Sequence, residues 1–223
     1  MGAVLLDCLG TLVELLPPAP RLRDELRRRA GIVVGERAAA AAFRAEIGYY
    51  LAHHLDAHDG PSLERLRDQC AGVLLESLAL PPREHGAVRA AMLASIRFEP
   101  YPDAAPGLAD LRRRGIRLVA ASNWDCSLPE VLDRAGLLEL LDGVVASATV
   151  GAAKPDARLF EAALACAGCD PEAALFVGDS LENDVAGASA VGVAAVLVRR
   201  DGTAPARGGL PVISSLDELG SLV

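Results

Sequence analysis

The run Ala173-Ala174-Leu175-Phe176-Val177-Gly178-Asp179 is apolar until it meets a glycine and an aspartate. A short run of this kind fits a strand buried on both faces of a parallel sheet, with its tip at Gly178-Asp179. The chain then reads as a helix over Asn183–Ala190 and as a second apolar strand over Val193–Val198. Strand, helix and strand in sequence make a βαβ unit, and the same rhythm extends toward the amino end. Asp103–Arg114 is a helix stopped by Gly115, and Ile116–Ala121 is a strand ending in Ser122-Asn123. Leu128–Ala135 is a helix closed by Gly136, Gly143–Ala146 a short strand, and Asp156–Ala167 a helix behind Lys154-Pro155. Ala3–Asp7 is a further strand, running into Cys8-Leu9-Gly10-Thr11. Ser214–Leu222 reads as a short terminal helix and Asp201–Gly209, rich in Gly, Pro and Ala, as a loop. The expectation is an α/β fold, a doubly wound parallel-sheet core of Rossmann-like type.

Between the first strand and the rest lies a different pattern. Residues 14–97 read as almost entirely helical, with helices at Arg21–Ala30, at Glu36–His58, from a Ser62 cap to Leu78, and from Pro81-Pro82 to about Arg97. The expected organisation is therefore a core of residues 1–13 and 98–223 with a helical cap inserted at 14–97.

Composition narrows the partners. Hydrophobic residues are 52% of 223, enough for a packed core, and the net charge is −8. An acidic chain repels nucleic acid and anionic lipid, so neither is an expected partner. No apolar run reaches the ~18–20 residues of a membrane helix. The amino end carries no basic stretch with a cleavage site, so a soluble cytoplasmic protein is expected. Five cysteines, an odd number, argue against a disulfide scaffold. Cys166-Ala-Gly-Cys169 has redox spacing but no second pair for a metal, and it falls at the end of an apolar helix pattern. All but one of the 22 basic residues are Arg. The exception, Lys154, marks a place where a compact charge suits and a planar fork does not.

In open α/β sheets, ligands bind beyond the carboxyl ends of the strands. Asp7 stands at the first strand end, Ser122 and Asn123 at another, Lys154 in the loop after a third, Asp179 at a fourth, and Asp184 shortly after it. A carboxylate such as Asp7 can act as a nucleophile and form a covalent ester. Asp7 with Asp179 can hold Mg²⁺, which prefers oxygen ligands and would offset repulsion from an anionic substrate. Lys154 adds positive charge, Ser122 can donate to substrate oxygens, and Asp184 can hold Lys154 in place. Thr11 and Asn123 stand beside them as candidate substrate contacts.

Four motifs in this order resemble the haloacid dehalogenase superfamily. They are Asp7-Cys8-Leu9-Gly10-Thr11-Leu12, Ala121-Ser122-Asn123, Lys154-Pro155-Asp156 and Gly178-Asp179-Ser180-Leu181-Glu182-Asn183-Asp184. Pro100-Tyr101-Pro102-Asp103 resembles the re-entry from an inserted cap to the core, so the likeness covers nearly the whole chain. It implies a Mg²⁺-dependent phosphatase acting on a small phosphorylated metabolite through an aspartyl intermediate on Asp7. It also implies that the backbone carbonyl of Leu9 joins Asp7 and Asp179 at the metal, and that the cap closes over the substrate.

The chain departs from the family pattern at Leu9. Phosphatases of this family usually carry an aspartate there as general acid and base, a role typically worth ~10²–10⁴-fold in rate. A non-acidic residue at this position is also similar to the L-2-haloacid dehalogenase branch, which uses an arginine and aromatic residues of the cap; Arg37, Arg44, Tyr49 and Tyr50 are the candidates. A catalytically weak, ligand-binding relative is the third reading. Asp125 could supply the missing acid but reads more readily as a helix cap near Ser127. Trp124 could line the site or pack beneath the cap, His53 and His54 point to different helix faces, and Cys8 should face the core by strand alternation.

Overall fold

The computed structural model describes residues 2–202 and 209–223, so most of the expected Asp201–Gly209 loop lies outside the described residues. The chain forms two compact units, Met1–Glu14 with Glu99–Val223, and Leu15–Phe98. Among the described residues no helix is long and apolar enough to cross a membrane.

The strands are β1 (Ala3–Leu6), β2 (Val13–Leu15), β3 (Phe98–Pro100), β4 (Arg117–Ser122), β5 (Gly143–Ala146), β6 (Ala174–Gly178), β7 (Ala194–Val198) and β8 (Val212–Ile213). Six form one sheet in the order β5-β4-β1-β6-β7-β8, and every pairing is parallel. The fold is therefore the α/β, Rossmann-like class expected. The chain winds outward from β1 through β4 to β5, then returns to β6 and winds the other way. That reversal leaves a topological switch point between β1 and β6. Leu6 lies opposite Ala120 on one side and Val177 on the other, so Asp7, Ser122 and Asp179 leave the sheet at one edge.

The apolar runs of β1 and β6 are buried along their whole length, as strands covered on both faces require. On one face Leu5, Val119 and Phe176 pack with Leu159, Phe160 and Ala163 of helix Ala157–Ala167. The Phe160 and Phe176 rings meet edge to face with centroids 5.1 Å apart. Each buried ring of this size contributes about 1.5–3 kcal/mol. Helix Ala104–Arg113 packs against β4 and buries Leu108 and Leu111.

Several local expectations shift. The segment after β6 is not a plain helix: Leu181–Ala186 is a wide π-type turn, followed by a short helix Gly187–Ala190. Ser180 caps the turn by accepting from Asn183 N at 3.1 Å. The terminal element, Leu216–Ser221, is a 3₁₀ helix. The short strands β2, β3 and β8 carry too few residues for an alternation to register. The helix expected to start at Ser62 starts at Gly60, with Asp59 as its cap and Ser62 returning the bond in a capping box. The first helix begins at Pro18 and not Arg21, because prolines in the opening turn cost no intrahelical bond.

The second unit is helical throughout its main elements: Pro18–Ala30, Glu36–His53, Gly60–Ser77 and His85–Ser95. Leu22, Leu26, Phe43, Leu66, Leu74, Val88 and Met92 are buried in it. Glu46 is buried on the inner side of Glu36–His53, hydrogen-bonded to Cys70. Burial drives its pKa up from 4.5 to about 7, against the lowering effect of the Cys70 bond. The folded state therefore holds a proton on Glu46 that the unfolded chain releases above pH 4.5. Stability contributed by this group falls as pH rises from 4.5 to about 7 and is flat beyond it, by up to about 3 kcal/mol. Thermal melts of wild type and Glu46→Gln from pH 5 to 8 should diverge, the variant gaining relative stability as pH rises. Parallel curves would remove Glu46 from the titration.

Candidate active site

Asp7 sits one residue beyond β1, its backbone N–H donating to Val177 O at 2.8 Å. The turn that follows is tight because the Cys8 carbonyl accepts from Thr11, Leu12 and Val13 N–H groups in succession. Cys8 is fully buried, and burial followed by the Asp7 charge raises its thiol pKa well above the ordinary value, so it stays protonated.

Three segments converge on Asp7. Ser122, the last residue of β4, donates from Oγ to Asp7 Oδ1 at 2.8 Å. Lys154 Nζ donates to the same oxygen at 2.5 Å and to Asp184 Oδ1 at 2.6 Å. Asp184 is held in turn by Ser180 N–H, 2.9 Å from its Oδ2. The Phe176 ring centroid lies 5.1 Å from the ammonium. Lys154 is nearly inaccessible: burial opposes its charge, yet Asp7 and Asp184 together outweigh that and raise its pKa above the usual lysine value.

Asn123 joins the site in a way its sequence position did not reveal. Its Oδ1 accepts from Lys154 N at 2.7 Å and its Nδ2 donates to Lys154 O at 3.1 Å. The side chain thus clamps the backbone that carries the lysine, just before the cis Lys154–Pro155 bond. Thr11 is fully buried, and its hydroxyl has no partner among the described residues. Asp125 is buried and accepts from Ser127 N at 2.7 Å, closing a turn two residues ahead of the helix N-cap, Ser127, and not capping the helix itself. Leu9 is exposed, at 42%.

Oxygen atoms of Asp7, Asp179 and Asp184 lie within 4.8 Å of one another. Among the described residues only the Lys154 ammonium forms an ion pair with these carboxylates, which leaves an excess of negative charge in a partly desolvated place. Burial, then the charges of Asp7 and Asp184, push the Asp179 pKa up to about 6. Burial and the Asp7 charge likewise raise Asp184, against the pull of Lys154. Closely set oxygen donors with unrelieved charge fit a hard divalent cation.

Two glycines make this crowding possible. A Cβ on Gly178 would meet Asp184 Oδ2 at 2.3 Å, so only glycine lets that carboxylate turn back over the strand end. A Cβ on Gly10, at φ +83°, would meet Asp179 Oδ2 at 2.1 Å. In the helical unit, Arg37 and Arg44 are exposed on helix Glu36–His53, Tyr49 stacks on His53 at 4.2 Å, and Tyr50 tilts against buried His54 at 6.0 Å.

The structure thus brings Asp7, Ser122, Lys154, Asp179 and Asp184 together at the switch point between β1 and β6. The family model for haloacid dehalogenase-like hydrolases matches residues 1–192, and the chain belongs to that family. It is 34% identical to a phosphoserine phosphatase of Thermus thermophilus, covering 90% of this chain and 89% of the relative. It is 32% identical to a glyceraldehyde 3-phosphate phosphatase of Methanopyrus kandleri, covering 89% and 84%. Among solved structures, a phosphatase of this family from Thermococcus onnurineus is 27% identical, with a TM-score of 0.69 over 100% of this chain and 97% of that one. A 2-haloacid dehalogenase from Pseudomonas syringae shares the fold, with a TM-score of 0.71 at 23% identity over 100% and 97%.

Gly10→Ala should cost stability twice, through the left-handed backbone and through the Asp179 carboxylate it displaces. Gly31→Ala, at φ +66° with nothing within 4 Å, should cost only the backbone strain of ~1–2 kcal/mol. Urea denaturation of the two variants measures the difference. Equal losses would mean that Asp179 moves aside freely.

Proposed function

We propose that the protein is a Mg²⁺-dependent phosphomonoester hydrolase for a small phosphorylated metabolite. The observation that carries this reading is Asp7 Oδ1 held by Ser122 and Lys154 at the switch point, with Asp179 and Asp184 beside it. The names of the relatives, which act on phosphoserine and glyceraldehyde 3-phosphate, support the substrate class.

In this reading the carboxylate of Asp7 attacks phosphorus and the bond to the leaving-group oxygen breaks, giving an aspartyl phosphate. Water then attacks that phosphorus, releases phosphate and restores Asp7. Lys154 and Ser122 stabilise the charge on the transferred group through donors already fixed before substrate arrives. Asp184 and Asn123 act on Lys154, one on its ammonium and the other on its backbone. Asp7, Asp179 and the Leu9 carbonyl would hold the cation, with the Asp184 oxygens close by. The bound ion offsets the negative charge shared by substrate and carboxylates. Leu9 offers no proton, so the leaving group takes its proton from water and turnover is slow. The helical unit acts as the cap.

The test is phosphate release from a panel of small phosphomonoesters, phosphoserine and glyceraldehyde 3-phosphate included, with Mg²⁺ and with chelator. Wild type should turn over with Mg²⁺ only, and Asp7→Asn should abolish release. Leu9→Asp should raise the rate by about 10²–10⁴-fold. Release that survives Asp7→Asn would sink the mechanism. Metal-free halide release from 2-chloropropionate would assign the dehalogenase chemistry instead, and a silent wild type that Leu9→Asp awakens would identify a weak, ligand-binding relative.

A further inference from the structure

Two consecutive arginines leave the end of β7, and each reaches a different loop of the site. Arg199 is fixed to the sheet edge by its own N–H, which donates to Ile213 O at 2.8 Å. Its Nη1 donates to the backbone carbonyl of Asp179 at 3.1 Å. Arg200, mostly buried, donates from Nη2 to the backbone carbonyl of Thr11 at 2.5 Å and from Nη1 to Asp103 Oδ2 at 2.5 Å. Its guanidinium also lies 4.1 Å from the centroid of the Tyr101 ring, and Tyr101 N–H donates to Leu12 O at 3.0 Å. Asp103 is itself pinned by Ser215 Oγ and Leu216 N.

The two carbonyls flank one contact. Thr11 follows Gly10, and Gly10 is the residue whose missing Cβ admits the Asp179 carboxylate. The arginines therefore grip, from two sides, the place where the Asp7 loop presses on the Asp179 loop. Arg199 takes the Asp179 carbonyl and not its carboxylate. A guanidinium on the carboxylate would occupy cation donors and cancel their charge. On the carbonyl it fixes the loop and leaves the carboxylate for a cation. The planar fork of Arg200 serves two acceptors and an aromatic face at once, which a lysine cannot do.

We propose that Arg199 and Arg200 are positioning residues that set the spacing of the Asp7 and Asp179 loops, and through it the affinity of the site for a divalent cation. The inference rests on the metal-dependent reading above. Its test reads cation binding apart from turnover: Mn²⁺ titrated into the full-length protein and followed by the EPR signal of the free ion, with thermal melts in parallel. Arg199→Met and Arg200→Met should each weaken Mn²⁺ binding by about 10–100-fold, as loss of groups that orient metal ligands typically does. Arg199→Lys should recover most of the affinity, because a single donor to one carbonyl suffices. Arg200→Lys should bind as weakly as Arg200→Met. Arg134→Met, which removes an exposed ion pair to Glu130, should bind like wild type. Methionine variants that melt earlier yet keep the wild-type Mn²⁺ affinity would overturn the proposal and leave the arginines as scaffold alone. Arg200→Lys binding like wild type would overturn the role of the fork. A wild type that takes up no Mn²⁺ would overturn the metal reading, and this proposal with it.

Discussion

The site depends on one buried cation. Lys154 has a side chain only 2% exposed, and moving an ammonium from water to such a place costs several kcal/mol unless charges of opposite sign meet it. Asp7 and Asp184 do so from two directions. The arrangement is reciprocal: without the lysine, those carboxylates would be buried beside Asp179 with no neutralising group, and their charged forms would be disfavoured. The ammonium is thus the shared ion-pair partner of Asp7 and Asp184, and links the two carboxylates to each other. Arg could not replace it easily, since its guanidinium is a plane with spread donors and the space here is bounded by two carboxylate oxygens and the Phe176 ring.

Crowding this much charge needs backbone that approaches closely. The carboxylates of Asp179 and Asp184 lie against Gly10 and Gly178, where any side chain would expel them. Gly187 does the same for the hydrophobic side, because a Cβ there would strike the Phe160 ring at 2.6 Å and Pro155 Cα at 3.2 Å. The glycine pattern is therefore a map of where loops touch. It links the apolar core under the sheet to the charged group above it: Phe160 packs on Phe176, Phe176 borders Lys154, and Lys154 binds Asp7.

The core fold could be read from the chain because each strand is a complete local message. β1, β4, β6 and β7 are apolar runs that end in a polar residue, and burial on both faces leaves little else for such runs to be. The residues at their ends were legible for the same reason, since a parallel sheet brings those ends to one edge. What escaped is long-range or conformational. Asn123 looks like a strand-end side chain free for a ligand until the fold brings Lys154 to it, 31 residues away. Arg200 reaches Thr11 across 189 residues and Asp103 across 97, with no local pattern to announce either. Glu46 reads as a polar position on a helix and is buried because its neighbours across the helical unit close over it. The wide turn at Leu181–Ala186 follows from Ser180 and Asp184 bonding across its start, which helix propensity does not register.

Leu9 belongs in this electrostatic account more than in a packing one. Its side chain is exposed at 42%, so no cavity in the core requires leucine there. A carboxylate at the same position would add a negative charge beside a group that already carries Asp7, Asp179 and Asp184 against a single lysine. Leucine adds no charge there. Residue 9 stands two positions after Asp7 on the same strand-end loop, whereas Ser122 and Lys154 reach Asp7 from other parts of the chain. The side chain of residue 9 therefore takes no part in the hydrogen bonds and close approaches by which the lysine and the glycines hold the charged group together.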